Sequence, residues 1–489
     1  MTTYPTDAIS KAATEDGAGH KAAPYRTVLA RAAQHALAHL DRVDATSVAA
    51  TASKEQLRKR LTRALSEAGV DPVQVIDDLV HDTEGGLLGS AGGRFFTWVI
   101  GGTLPAALAA DWLTGAWDQN GGMYATSPAA SIVEEVCGQW LKDLLRLPQS
   151  ASFALVTGCQ MAHVTCLAAA RQHLLRERGW DVERDGLSGA PRIRVLTGDH
   201  RHGSIDRAVR LVGLGSASVT DLPTGDNCQL SYASLADALA KESSTPTIVL
   251  LQAGDINTGV FDPFETIIPL AHEHGTWVHV DGAFGLWANA SAALRHMLRG
   301  VERADSWSTD GHKWLNVPFD CGYAFVAHAD AHRASMSHRA SYLTHDDDAR
   351  DQLDWNPEWS RRARGLATYA AIRELGRSGI ADVVERCCRY AHAIATGIGA
   401  LKGAELIWEP QLNQALVRFL HPSPNASEAD HAKRTDEVIA AIQRGGEAHF
   451  GGTTWRGMRC MRISVCSWQT TERDVTRTIA AVRQALNDY

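Results

Sequence analysis

A lysine set between a histidine and a tryptophan, in Ser308-Thr309-Asp310-Gly311-His312-Lys313-Trp314, lies in a stretch of low charge where a solvated surface lysine is out of place. In a half-buried setting the ammonium form is disfavoured. The Lys313 pKa is therefore expected to fall, leaving a nucleophilic amine that can condense with an aldehyde. The competing reading is a lysine whose stem only covers apolar surface. Upstream, Val278-His279-Val280-Asp281-Gly282-Ala283 is an apolar strand that delivers a carboxylate at its carboxyl end, and the small residues after it would let a flat ring lie against the backbone. An Asp in such a place is otherwise a turn residue or a helix cap.

Two further stretches fall at strand-to-helix junctions. Val156-Thr157-Gly158-Cys159-Gln160 would present free backbone N–H groups, which attract phosphate, with Gly158 permitting close approach. Neither a GxGxxG nor a Walker pattern accompanies it, so dinucleotide and P-loop readings lack support. In Gly198-Asp199-His200-Arg201-His202 an imidazole can stack on a flat ring, or His200 and His202 are simply loop histidines. A phosphate turn, an imidazole, a carboxylate and a lysine are together the parts of a pyridoxal phosphate site. In such a site the carboxylate keeps the pyridine nitrogen protonated, so that the ring draws electrons from the reacting carbon. A rival set, His272, His274 and His279 with Asp281, has the ligand types of a zinc hydrolase. His272 and His274 close a helical run before Gly275, however, where a cation already suits the helix dipole.

These residues need a scaffold. The short runs Phe153 to Val156, Ile193 to Leu196, Ile248 to Leu251, Trp277 to Val280 and Tyr323 to Val326 are β-rich, and helical spacing separates several of them, as at Val164, Leu167, Ala168, Leu174 and Leu175. That alternation predicts an α/β unit with a largely parallel sheet and ligands at the carboxyl ends of its strands. Residues 1–24 read as a frayed lead-in. Residues 25–105 read as an apolar helical arm, which must dock on the body of the subunit or on a second copy. A large domain over 106–365 and a smaller α+β domain over 366–489 complete the expected organisation. Ser337 to Arg364, with Tyr342, Trp355 and Trp359, reads as a long loop of the kind that forms lids.

Composition narrows the partners. The 48 Lys+Arg against 56 Asp+Glu leave a net charge of −8, which argues against nucleic acid. The most apolar stretch, Val99 to Leu113, is too short and too interrupted to cross a bilayer. The N-terminus has no apolar core of a secretory signal, and nine cysteines without a CxxC pair suit a reducing compartment, so a cytoplasmic protein is expected.

Taken in order, the four stretches resemble the group II pyridoxal-phosphate-dependent amino-acid decarboxylases, the family of aromatic-L-amino-acid and glutamate decarboxylases. The resemblance runs from about Tyr25 to the C-terminus and includes Arg94-Phe95-Phe96, Thr126 to Ala130, Asp199 to His202, His279 to Ala283 and His312-Lys313-Trp314. It implies the α/β fold type I of pyridoxal phosphate-dependent transferases, with a seven-stranded sheet, and a homodimer with active sites at the interface. It also implies that Lys313 carries the cofactor, His202 stacks on its ring, Asp281 pairs with the pyridine nitrogen and Ala283 lies beneath. Gly158, Cys159, Gln160 and Asp310 would face the phosphate, although Gln160 and Asp310 depart from the family's small hydroxyl residues and Asn. His312 would lie near the substrate carboxylate, and Tyr342 would protonate the α-carbon after carbon dioxide leaves; related aldehyde synthases carry Phe there. By the same resemblance Trp98, Val99, Ile100 and Gly101 wall the substrate, which favours an aromatic L-amino acid over acidic or diamino acids. Arg462 could instead clamp a carboxylate as in aminotransferases, so transamination stays open, as does a catalytically silent cofactor-binding homologue.

Overall fold

The computed structural model describes residues 23–338 and 349–488. By their internal contacts the described residues form two units, 23–46 with 50–88, and 47–49 with those from 89 onwards. Within the first, α1 (Ala23–Leu40), α2 (Lys54–Leu61) and α3 (Pro72–Thr83) are helical for local reasons. Ser53 and Gln56 close a capping box on α2, and Asp71 caps α3 with Pro72 in its first turn. Asp77 on α3 takes both Arg31 and His35 of α1, each at 2.6 Å.

The second unit is built on a seven-stranded sheet in the order β1 (Ser152–Val156), β7 (Gly322–Val326), β6 (Ser306–Asp310), β5 (Trp277–Asp281), β4 (Thr247–Gln252), β2 (Arg194–Gly198), β3 (Val219–Leu222). Only β7 runs against the rest, pairing antiparallel with both β1 and β6. Helices including α4 (Pro105–Trp117), α5 (Pro128–Leu144), α6 (Cys159–Arg176) and α7 (Gly203–Leu211) precede or connect these strands. β1 and β5 are buried at every position and β4 at all but Gln252, which is why these strands read as short apolar runs. All five expected strands are present. The unexpected ones are β3 and β6; β6 reads Ser-Trp-Ser-Thr-Asp, a polar sequence that is nonetheless buried at every position.

Towards the C-terminus α8 (Gly365–Gly399), broken at Gly376, leads into an antiparallel four-stranded sheet, β10 (Gly451–Trp455), β11 (Met458–Ser464), β9 (Gln414–Phe419), β8 (Ala404–Trp408). The part of the expected long loop that is described is anchored rather than free. Arg361 is fully buried and pairs with Glu134 of α5 at 2.8 Å, and it also donates to the carbonyls of Gly121 and Leu155. Arg350 lies over the Phe153 ring at 4.0 Å. Tyr342 lies outside the described residues. All nine cysteines are free thiols, and no helix among the described residues is long and apolar enough to cross a membrane.

Candidate active site

The carboxyl ends of β1, β5 and β6 and the N-terminus of α6 come together at one place, where ligands sit in open α/β sheets. β5 ends at Asp281 and β6 at Asp310, so adjacent strands deliver two buried carboxylates. β1 hands over to α6 through Gly158, and β7 runs so close that a Cβ at Gly322 would stand 2.5 Å from the Gly158 Cα. That approach brings the start of α6 onto Asp310, whose Oδ1 accepts the Cys159 N–H at 2.6 Å.

Lys313 follows β6 and turns back to the same place. Its Nζ sits 3.1 Å from Asp310 Oδ2 and 5.8 Å from the Phe284 ring centroid. Burial alone would push this amine down, but the fields of Asp310, Cys159 and Asp281 outweigh it and hold the pKa above the usual lysine value. The expected fall is therefore reversed in the cofactor-free chain. The reason is a counter-ion three residues upstream that the sequence pattern did not weigh. His312 accepts the Cys321 N–H on Nδ1, so its neutral ring carries the proton on Nε2, 3.5 Å from Asp310 Oδ1. Its ring lies 4.3 Å from that of Phe319, and burial pushes its pKa down.

Asp281 accepts the Ala283 N–H on Oδ1 at 3.1 Å. Burial pushes this carboxyl up, yet His163, His202 and Lys313 around it win and keep it below the ordinary carboxylate range. His202 is the N-cap of α7: its Nδ1 accepts the Ser204 N–H, which leaves the ring proton on Nε2. Desolvation lowers its pKa despite the nearby Asp281. Gln160 is committed elsewhere, donating to the Ser204 carbonyl at 3.2 Å.

Other expected residues fall differently. Gly101 packs on the Lys313 carbonyl with no room for a Cβ. Val99 is buried in the core at a left-handed φ of 57°, a strained conformation for a β-branched residue. Trp98 is exposed, its ring 5.9 Å from that of His449. The rival zinc set is not assembled, since His272 turns away to Asp305 at 3.0 Å. Sequence reasoning missed His163, which lies fully buried on α6 with its Nε2 3.6 Å from Asp281 Oδ2. Nothing in its local sequence marks it, because its partners come from other elements.

The donor set fits pyridoxal phosphate at two of its three ends: a buried amine on Lys313, and an ionised carboxylate on Asp281 for the ring nitrogen. At the phosphate end the Asp310 carboxylate already accepts the Cys159 N–H and pairs with Lys313. A carboxylate bordering the phosphate would oppose it as a like charge. Asp310→Asn keeps an acceptor for Cys159, removes that repulsion and frees the Lys313 amine. Its pyridoxal phosphate dissociation constant, measured by absorbance titration of the apoprotein, should fall at least about tenfold, and capture by wild-type apoprotein should quicken with rising pH as more Lys313 loses its proton. Weaker binding by the variant would show that Asp310 holds the phosphate turn rather than opposing the phosphate.

A mostly parallel sheet with one reversed strand, ending in this lysine and carboxylate, defines a fold type I pyridoxal phosphate-dependent enzyme. The model of the pyridoxal-dependent decarboxylase conserved domain matches residues 55–420, and the chain belongs to that family. It is 30% identical over 404 residues to tryptophan decarboxylase 1 of Oryza sativa subsp. japonica, covering 76% of each chain. Against the aromatic-L-amino-acid decarboxylase of Bacillus atrophaeus it is 24% identical, covering 91% of this chain and 92% of the relative. The crystal structure of Oryza sativa TDC with PLP and tryptamine superposes with a TM-score of 0.89 at 23% identity, over 97% of this chain and 99% of the other. Further relatives are named as diaminobutyrate decarboxylases and as a 4-hydroxyphenylacetaldehyde synthase. The protein is a carboxy-lyase that uses pyridoxal phosphate and acts on an amino acid.

Proposed function

We propose that the substrate is an aromatic L-amino acid, converted to its amine and carbon dioxide. The observation that carries this reading is the pair of aromatic faces beside Lys313 and His312, with Arg462 on β11 available for the carboxylate that every amino acid brings. The Arg462 Nε is buried without a hydrogen-bond partner, and its charge is near enough to depress the His202 pKa. With Asp255 as its charged neighbour, this guanidinium suits the α-carboxylate of a substrate. The aromatic faces of Phe284, beside Lys313, and Phe319, against His312, suit a ring rather than a second charge.

Bound pyridoxal phosphate supplies an electron sink for the pair left behind by carbon dioxide. Lys313 offers the amine that carries the cofactor and later releases the product. Asp281 holds a proton on the ring nitrogen, and His202, fixed by Ser204, presents its ring face. Gly158 and the N–H groups at the start of α6 form the phosphate turn, with Cys159, Gln160 and Asp310 at its border and Ala283 beneath the ring. Arg462 fixes the carboxylate, with His312 beside it, so that binding energy goes into orientation. Tyr342 returns the proton to carbon, a role that rests on the resemblance. The working unit is a homodimer, a reading supported by Trp112, Leu113 and Trp117, which α4 exposes in the single chain, and nine free thiols suit the cytoplasm.

An amino-acid panel with mass spectrometry of products tests this reading, since amine, aldehyde and keto acid separate decarboxylase, aldehyde synthase and aminotransferase. Aromatic amino acids should yield amines. Preferential turnover of diaminobutyrate, aspartate or glutamate would overturn the substrate class. For Tyr342→Phe, amine output should fall and aldehyde should appear; unchanged amine would remove Tyr342 from the proton transfer.

A further inference from the structure

Behind Asp281 lies a continuous line of buried polar groups drawn from two strands, β5 and β6, and one helix. His163 on α6 is fully buried, and its Nε2, which has no hydrogen-bond partner, points at Asp281 Oδ2 from 3.6 Å. Its Nδ1 is 3.0 Å from His279 Nε2. His279 Nδ1 is in turn 2.8 Å from Ser306 Oγ, which accepts the Trp277 indole N–H at 2.9 Å.

The carboxylate end of this line sets its direction, because an ionised carboxylate can only accept. Ser306 accepts from Trp277 and still has both a proton and a lone pair for His279 Nδ1, so its end is compatible with either direction. With the His163 proton on Nε2, facing Asp281, His163 Nδ1 accepts from His279 Nε2 and His279 Nδ1 accepts from Ser306. Both rings are neutral in this arrangement. Burial agrees, pushing His279 down to about 3 and lowering His163 as well. The reverse direction would leave a bare His163 lone pair against the carboxylate. Ser308 Oγ, 3.2 Å from His163 Nδ1, adds a second possible donor on the same side.

We propose that His163, backed by His279 and Ser306, is a positioning residue that fixes the Asp281 carboxylate and supports its charge, so that Asp281 keeps the cofactor's pyridine nitrogen protonated. The proposal rests on the assignment of Asp281 to that nitrogen. Buried polar groups of this kind set the orientation of the group in front of them, and removing one leaves the site present but loosened. The other charged or titratable groups around Asp281 are Lys313, His202, Asp310 and Cys159, which come from the β6 end, the α7 cap and the α6 start. They pull in opposite directions, whereas the neutral His163 ring turns its Nε2–H towards the carboxylate whatever their state.

The test uses the full chain reconstituted with ring-¹⁵N pyridoxal phosphate, with the nitrogen's protonation read from its NMR shift. Wild type should show a protonated nitrogen. His163→Leu should move the signal towards the unprotonated position while still retaining cofactor, and kcat should drop by about 10–100-fold with little change in KM. His163→Gln, whose amide reaches the place of Nε2, should restore both the signal and kcat. Ser306→Ala should shift the signal in the same direction by less, and it decides the matter if His163→Leu does not fold. An unshifted nitrogen in the folded variants would overturn the proposal. If instead Asp281→Asn left the nitrogen signal of wild type unchanged, the assignment of Asp281 itself would be at fault.

Discussion

Lys313→Ala should leave a folded protein that no longer fixes pyridoxal phosphate on borohydride reduction, and decarboxylation should fall by about 10⁴-fold or more, as expected when a group serving both as nucleophile and in proton transfer is removed. The structure gives two reasons for an effect of this size. Lys313 is the amine at the meeting point of β5, β6 and α6, and its side chain is only 17% exposed, so no other side-chain amine takes its place. Removing it also leaves Asp310 without its ammonium partner at 3.1 Å. Some cofactor should still bind without a covalent link, through the start of α6, and added small amines should restore a fraction of turnover. Peptide mapping of reduced holoenzyme checks the assignment: an adduct on any peptide other than the one spanning residue 313 would refute it.

The second large effect belongs to Asp281→Asn. An amide of the same shape keeps the hydrogen bond from Ala283 but carries no charge to hold a proton on the ring nitrogen. A unit charge pair at about 4 Å and an effective dielectric near 20 is worth roughly 4 kcal/mol, which corresponds to about 10³ in rate if the interaction is made fully in the transition state. The expected result is a loss of about 10³ in kcat with cofactor still attached to Lys313, read by absorbance of the variant beside its steady-state rate. A loss smaller than tenfold would mean that the ring nitrogen takes its proton from elsewhere. Because the folded carboxyl is held below its ordinary value, its charge persists across the neutral range and is lost only as pH falls through that lowered pKa. Wild-type turnover should accordingly show no acid limb near neutrality that traces to Asp281.

Several of these features were legible in the chain itself. Strands buried on both faces must be apolar, so β1, β2, β4, β5 and β7 announced themselves as short runs between turn residues. Because parallel strands place ligands at their carboxyl ends, Asp281 and the turn at Gly158 could be located from strand endings alone. Lys313 stood out through its neighbours. β6 did not, because its serines and threonine are buried against polar partners rather than against a hydrophobic face. Ser306 serves Trp277 and His279, and Ser308 lies beside His163.

What the tertiary structure decided was the pairing of groups far apart in sequence. His163 and His279 meet across 116 positions, and Cys159 and Asp310 across 151. No local period encodes such contacts, and burial multiplies their electrostatic weight. Residue types and their order along the chain therefore set the fold class and named the lysine and the aspartate. The charge state of each, with Lys313 held as a cation by Asp310 and Asp281 held as an anion by His163, His202 and Lys313, came only from how the strands and α6 are packed together.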